Sequence, residues 1–210
     1  MSRRIVEAEA FLLRDARGNM RAALECTEEG PAIGLVDAQG TVRAAMRIVK
    51  DMPLICLYDR DAKPRMELSL KNQHPQLSLH GEYHPGTITL ELGEEGSYLS
   101  IGSPTAGTAI HLSAEPTGVT LEFFRSFLGG RRAARFTTTD TGSALTLNGK
   151  TGGPRIQLSV KGQKPALAFL DKDGDRLISL TVSGKRPTLR VQRGKGTPAL
   201  VIPLEELKKT

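Results

Sequence analysis

Asp37-Ala-Gln-Gly-Thr-Val-Arg-Ala-Ala-Met-Arg-Ile-Val-Lys-Asp-Met-Pro-Leu-Ile-Cys-Leu-Tyr58 is followed by a second start of the same pattern at Asp59, and that restart decides the reading of the chain. Asp15, Asp37 and Asp59 share one period of 22 residues with Arg21, Arg43 and Arg65, with Leu24, Met46 and Leu68, and with Pro31, Pro53 and Pro75. Ile33, Ile55 and Leu77, and Leu35, Leu57 and Leu79, keep it too. A fixed period of this length marks a repeat architecture, in which one supersecondary unit recurs.

Outward from this stretch the apolar slots persist at Leu90, Ile101, Leu112 and Phe123, while the Asp, Arg and Pro slots there hold other residues. Backwards, Phe11 and Leu13 fill the slots of Ile33 and Leu35. After Arg131 an insertion of about two residues is expected within 137–142, and the signature then returns with Arg155, Leu158, Pro165, Leu167, Phe169, Asp171, Gly174, Leu180 and Pro187. About nine units fill the 210 residues, so a single repeat domain spans 1–210. Its expected parts are a first block over 5–136, the irregular insertion at 137–142, a second block over 143–202 and a C-terminal turn or cap over 203–210.

Each unit reads as two short strands. Ala44, Met46 and Ile48 alternate with Arg43, Ala45 and Arg47, and Pro53, Ile55 and Leu57 alternate with Leu54 and Cys56, the two-residue period of a strand. The Asp-x-x-Gly stretches at Asp15, Asp37 and Asp171 suit a type I turn closed by a glycine at positive φ. Thr27-Glu-Glu-Gly-Pro31 reads as the longer of the two connections. The fold class is therefore all-β: about 18 strands in an elongated antiparallel meander, apolar on one face. That face closes as a prism built from several chains or as a two-sheet coil. A wide single-layer barrel would leave an apolar lumen full of water, and a propeller would need alternate units to differ. One-sided sheets predict a homo-oligomer, most simply a trimer.

Composition agrees. The apolar fraction is 39%, aromatics number nine with no Trp, and Gly and Pro total 34 residues, which fits a turn-rich chain with a lean core. No run approaches a membrane span, and Met1-Ser-Arg-Arg is not followed by the apolar stretch of a signal peptide, so a cytoplasmic protein without membrane insertion is expected. Cys26 and Cys56 cannot build a disulfide framework or a four-ligand zinc site.

The run Leu57-Tyr-Asp-Arg-Asp-Ala-Lys-Pro-Arg-Met-Glu-Leu68, preceded by Val36-Asp-Ala-Gln-Gly-Thr-Val-Arg43, resembles the tandem units of a group of bacterial repeat proteins of unknown function. Their pattern is Leu-x-Asp-x-x-Gly-x-x-Arg-Ala-x-Leu followed by Gly-Pro-x-Leu-x-Leu. More distantly, Tyr58-Asp59 is similar to the turns of YD-repeat hairpin arrays. The resemblance covers 5–80 and 150–195, and it implies a repeat scaffold with no catalytic residues to carry over.

Several motifs invite chemistry and read better as structure. Ala144-Leu-Thr-Leu-Asn-Gly-Lys-Thr151 fits a permissive phosphate-loop pattern, but Gly152-Gly-Pro-Arg155 forbids the helix that would have to follow. Asp171-Lys-Asp-Gly-Asp175 spaces its carboxylates like a calcium loop without the terminal Glu, in a slot used elsewhere for turns. His74, His80, His84 and His111 share no ligand spacing. No metal or cofactor and no catalytic residue is expected.

Charge is the asymmetric feature. Residues 1–150 carry 17 Lys and Arg against 18 Asp and Glu, and residues 151–210 carry 12 against 5. Lys161, Lys164, Lys185, Arg186, Arg190, Arg193 and Lys195 would form a basic strip able to meet a nucleic acid or an anionic polysaccharide, or would guard strand edges against pairing. The expected function is a non-catalytic scaffold, rod or spacer that self-assembles or presents a face to a protein partner. Polyanion binding through the basic strip is the alternative.

Overall fold

A computed structural model describes residues 6–82, 86–103, 108–126, 131–184, 186–192 and 199–203, and every regular element among them is a β-strand. The chain divides into two compact units, Met1–Glu94 and Glu95–Thr210. The first holds β1 (Ala10–Arg14), β2 (Met20–Thr27), β3 (Gly30–Val36), β4 (Val42–Val49), β5 (Met52–Tyr58), β6 (Pro64–Lys71), β7 (His74–His80) and β8 (Thr87–Gly93). The second holds β9 (Gly96–Ser103), β10 (Thr108–Glu115), β11 (Gly118–Ser126), β12 (Arg131–Thr139), β13 (Gly142–Asn148), β14 (Pro154–Lys161), β15 (Lys164–Leu170), β16 (Arg176–Ser183), β17 (Arg186–Val191) and β18 (Leu200–Pro203). Within each unit every strand pairs antiparallel with its sequence neighbours, which makes a meander. The two strands of a repeat lie side by side in one sheet, Leu24 against Ile33 and Met46 against Ile55, so the two-sheet coil is not the arrangement within either unit. Of the expected cap over 203–210, Pro203 ends β18 and 204–210 lie outside the described residues.

Two kinds of hairpin alternate. In the wide one Asp15 N–H donates to Asn19 O at 2.9 Å and Gly18 N–H to Asp15 O at 2.9 Å, while Asp15 Oδ1 accepts from the N–H groups of Arg17 and Asn19. The pattern recurs at Asp37, Asp59 and Asp171. Gly18, Gly40 and Gly174 close it at φ of 84°, 86° and 87°, the left-handed region that glycine reaches without a Cβ clash. Ala62 takes that place in the third turn at φ 58°. The tight hairpins have two central residues: Lys50-Asp51 and Asn72-Gln73 stand at positive φ throughout, the type I′ geometry that matches strand twist. Thr27 pairs directly with Gly30, so this connection is the shorter of the two, not the longer. Its Gly and Pro belong to β3, which extends the ladder into the stretch that reads as loop.

The arginine of each repeat ties successive wide turns together. Arg21 holds Asp15 Oδ2 through Nε at 3.0 Å and donates through Nη1 to Asp37 O at 2.6 Å. Arg43 reaches Asp37 Oδ2 at 3.3 Å and donates through Nε to Tyr58 O at 3.1 Å. Arg65 pairs with Asp59 through Nε at 2.7 Å and donates to Gly81 O. Six residues separate Asp from Arg because that places the guanidinium beside its own turn and one hairpin away from the next, so the planar fork serves both. In the second unit the partners are split. Arg155 lies against Gly149, where the turn Asp would stand, and Leu177 fills the arginine slot after Asp171. Asn148 Nδ2 donates to Arg132 O at 2.9 Å and links neighbouring wide turns there.

Register fixes two faces. On one, Phe11, Leu24, Ile33, Met46, Ile55, Leu68, Leu77 and Leu90 follow one another across the eight strands, and a second ladder beside it starts Leu13, Ala22, Leu35, Ala44, Leu57. The second unit repeats this with Leu99, Leu112, Leu121, Phe136, Leu145 and Leu158, and onward to Ile202. No position on these ladders is charged. In the single chain these ladders stay open: Met46 is 53% exposed and Leu68 42%. Among the described residues the buried ones are Ala23, Cys56, Ala109, Ala168 and Ser179, all on the opposite face. A single layer cannot cover either face fully; on the opposite face the Glu67 carboxylate reaches Cys56 from the neighbouring strand.

The expected insertion at 137–142 is also corrected. Thr139 pairs with Gly142 across an ordinary two-residue turn. The extra residues lie in the β11–β12 connection, where Phe123 pairs with Ala134 and the register shifts on both sides of Phe124.

Candidate functional site

The structure offers three places where side chains collect: the open apolar face, the basic stretch of the second unit, and a polar basin on β9–β12. The first is described above.

Of the basic residues singled out in the sequence, Lys161, Lys164, Arg186 and Arg190 are described and exposed, whereas Lys185, Arg193 and Lys195 lie outside the described residues. Lys161 and Lys164 face each other across the β14–β15 turn, and Arg186 stands opposite Ser183 at the β16–β17 turn on the same sheet edge. Arg190 is mid-strand beside Ser179, on the face of Ala168 rather than of Leu189, and its Nη2 donates to Gln192 Oε1 at 3.1 Å. Strand alternation puts all four on the small-residue face. None of them forms an ion pair with a described carboxylate. Three of them follow successive turns along one sheet edge, and Arg190 extends the basic field inward over Ser179 and Ala168.

The other motifs settle into structure. Asn148 ends β13, Lys150 and Thr151 lie in a turn, and β14 follows, so the phosphate-loop stretch is strand, turn, strand. Asp171 uses its carboxylate on the N–H groups of Asp173 and Asp175 at 2.9 Å, as Asp15, Asp37 and Asp59 do in their wide turns. His74 pairs in register with Lys71, and His84 lies outside the described residues. His80 Nε2 meets Glu67 Oε2 at 3.0 Å, and Glu67 Oε1 lies 3.8 Å from the Cys56 thiol. Cys56 is 1% exposed, a filler as its slot suggests, while Cys26 is open on the apolar face. Burial pushes the Tyr58 hydroxyl up, and its hydrogen bond with Cys56 adds to this. Among the described residues no group of three His, Cys, Asp or Glu is arranged for a metal ion. No helix among them is long and apolar enough to cross a membrane.

The basin escaped the sequence. Its floor is the row Ser113, Thr120 and Thr137, neighbours across β10, β11 and β12. The adjacent row is His111, Glu122 and Arg135, and Tyr98, paired with Ser113, closes the β9 side. Glu122 is the best shielded carboxylate there, at 14% exposure, with Arg132 Nε 2.7 Å and Arg135 Nε 3.4 Å from its Oε1. The Tyr98 and His111 rings lie 6.3 Å apart at 35°. The signal available in sequence was an eleven-residue half-period that aligns Ser100, His111 and Glu122, but the two extra residues before Ala134 break it, and Arg135 enters the row only through the shifted register.

Against this geometry, no protein-family model and no curated protein sequence matches the chain.

Proposed function

We propose that the chain is a non-catalytic β-repeat scaffold that assembles with copies of itself through its apolar face, a trimeric prism being the simplest closure. The observation that carries this reading is the pair of uncharged ladders in each unit, whose large side chains stay about half open. Full burial of such a side chain is worth about 1.5–3 kcal/mol at about 25 cal/mol per Å², so each leaves roughly 40 Å² of apolar surface uncovered. Over the first unit alone this sums to about 600 Å², at the top of what a monomer exposes in one patch and close to one partner's share of a stable interface. A second copy is the fitting occupant because it presents the same ladders at the same spacing of about 4.8 Å, so rows meet rows without a charge on either side.

Sedimentation velocity over about 0.1–100 µM tests it. The expected mass is a multiple of the 22.7 kDa chain, and a single-chain mass at the top concentration would overturn the reading.

The four unpaired cations on the small-residue face support a second reading, binding of a polyanion. Affinity for heparin or duplex DNA should then fall steeply with salt, with the log-log slope reduced by about one for each cation removed that contacts a phosphate. Failure to retain either polymer at about 50 mM salt leaves the cations as guards of the strand edges.

A further inference from the structure

We propose that the basin on β9–β12 is a binding site for an acidic sugar unit, held by its anionic group between Arg132 and Arg135 and by its ring against Tyr98 and His111. The inference is independent of assembly, since the basin opens on the face opposite the ladders.

Four observations converge. The basin encloses about 350 Å³, within the range of small-ligand sites. Its floor of Ser113, Thr120 and Thr137 offers hydroxyls that both donate and accept, which suits a polyol and gives an apolar ligand nothing. Two guanidinium groups share the well-shielded carboxylate of Glu122, and the second carboxylate of the lining, Glu115, stands exposed at the rim where water screens it, so the Arg132–Arg135 end is the positive end of a formally balanced wall. The shared contact is also incomplete. Nε of Arg132 and Nε of Arg135 are shut off from water, and although both lie close to Glu122 Oε1, neither is aligned to donate a hydrogen bond. A guanidinium whose Nε is not locked onto Glu122 is free to re-aim its exposed Nη groups.

Each arginine side chain remains about 40% open, on atoms other than Nε, so the forks can turn toward an incoming oxyanion while Glu122 anchors them. On the opposite side the two tilted rings of Tyr98 and His111 make a partly apolar wall against which the C–H face of a pyranose can lie while its hydroxyls meet the floor.

The test uses the intact chain and three kinds of probe: D-glucuronate and D-galacturonate as acidic sugars, D-glucose as the neutral ring, and inorganic sulfate as the anion alone. Amide shifts recorded by NMR during titration should move at His111, Ser113, Thr120 and Thr137 with at least one uronate, and glucose should bind about tenfold more weakly or not at all. Arg135→Met and Arg132→Met, which keep the stems of the side chains, should each weaken the uronate about tenfold while the strand spectrum by circular dichroism stays unchanged. The proposal is overturned if neither uronate binds at about 50 mM, if the shifts fall elsewhere, or if glucose binds equally well. Sulfate binding as tightly as the uronates would also overturn it, since the ring wall would then contribute nothing.

Discussion

Leu68→Asp separates a face that copies cover from one left to water. Leu68 stands in the central ladder between Ile55 and Leu77, and 42% of it is open in the single chain. If complete burial is worth about 1.5–3 kcal/mol, roughly 1 kcal/mol remains to be gained when a copy covers it. Aspartate forfeits that gain and places a carboxylate without a partner under the copy, at a further cost of at least about 2 kcal/mol. Together these exceed about 3 kcal/mol per chain, more than a hundredfold in the association constant. The control is Ser69→Asp, one residue along and on the opposite face, between Leu54 and Gln76. By sedimentation velocity at micromolar concentration Leu68→Asp should run as a single chain and Ser69→Asp as the wild type, both with strand-type circular dichroism. If Leu68→Asp loses that spectrum, Leu68→Ser should show the same fall in mass in milder form. Equal masses for all variants would refute the covered-face argument.

Ala62 occupies a left-handed slot that glycine fills in the sister turns, so Ala62→Gly should relieve about 1–2 kcal/mol of backbone strain against about 0.4–1 lost to unfolded-state entropy, raising the melting temperature by a few degrees, whereas Gly40→Ala should lower it. Burial raises the Asp15 carboxyl, but the hydrogen bonds from Arg21, Asn19 and Arg17 outweigh it and hold the group down at about 2 against an ordinary 3.8. Between about pH 4 and pH 2 the folded chain therefore binds fewer protons than the unfolded one; stability is present above this window and lost as pH falls through it, and Asp37 and Asp59 act in the same direction. Denaturant titrations should show that dependence, shallower in Asp15→Asn, and an unchanged slope would count against the turn–arginine linkage. Gly149→Asp should rebuild the missing partner of Arg155, because the three atoms nearest a Cβ at that position all belong to the movable Arg155 side chain. The new carboxyl should titrate by NMR below the usual carboxylate range, and an ordinary value would show that the pairing depends on more than spacing.

Much of the fold is legible in the residues because it is local. Alternation in Arg43–Ile48, a glycine three after Asp15 and Asp37, and proline at strand starts each act within a few bonds, and the strand count follows from the period. The candidate sites are less legible, for different reasons. The basic residues can be named from sequence, but only pairing shows that Lys161, Lys164, Arg186 and Arg190 share one face. Glu67 reads as a solvated position, yet register delivers it to Cys56 and His80 from two neighbouring strands. Glu122 and Arg135 read as unrelated charges, thirteen residues apart across an irregular connection.

A repeating antiparallel β chain with one uncharged apolar parity and turns closed by Asp and Gly follows from the residues alone, since those properties reside in side-chain period and backbone preference. Tertiary structure alone decided what stands beside what. It set the arginines as ties between turns, buried Ala23, Cys56 and Ala168 instead of the leucine ladders, and used two extra residues before Ala134 to bring Arg135 beside Glu122. Register couples residues eleven or more positions apart through the summed geometry of hairpins, and a change of two residues in one connection redirects every row beyond it.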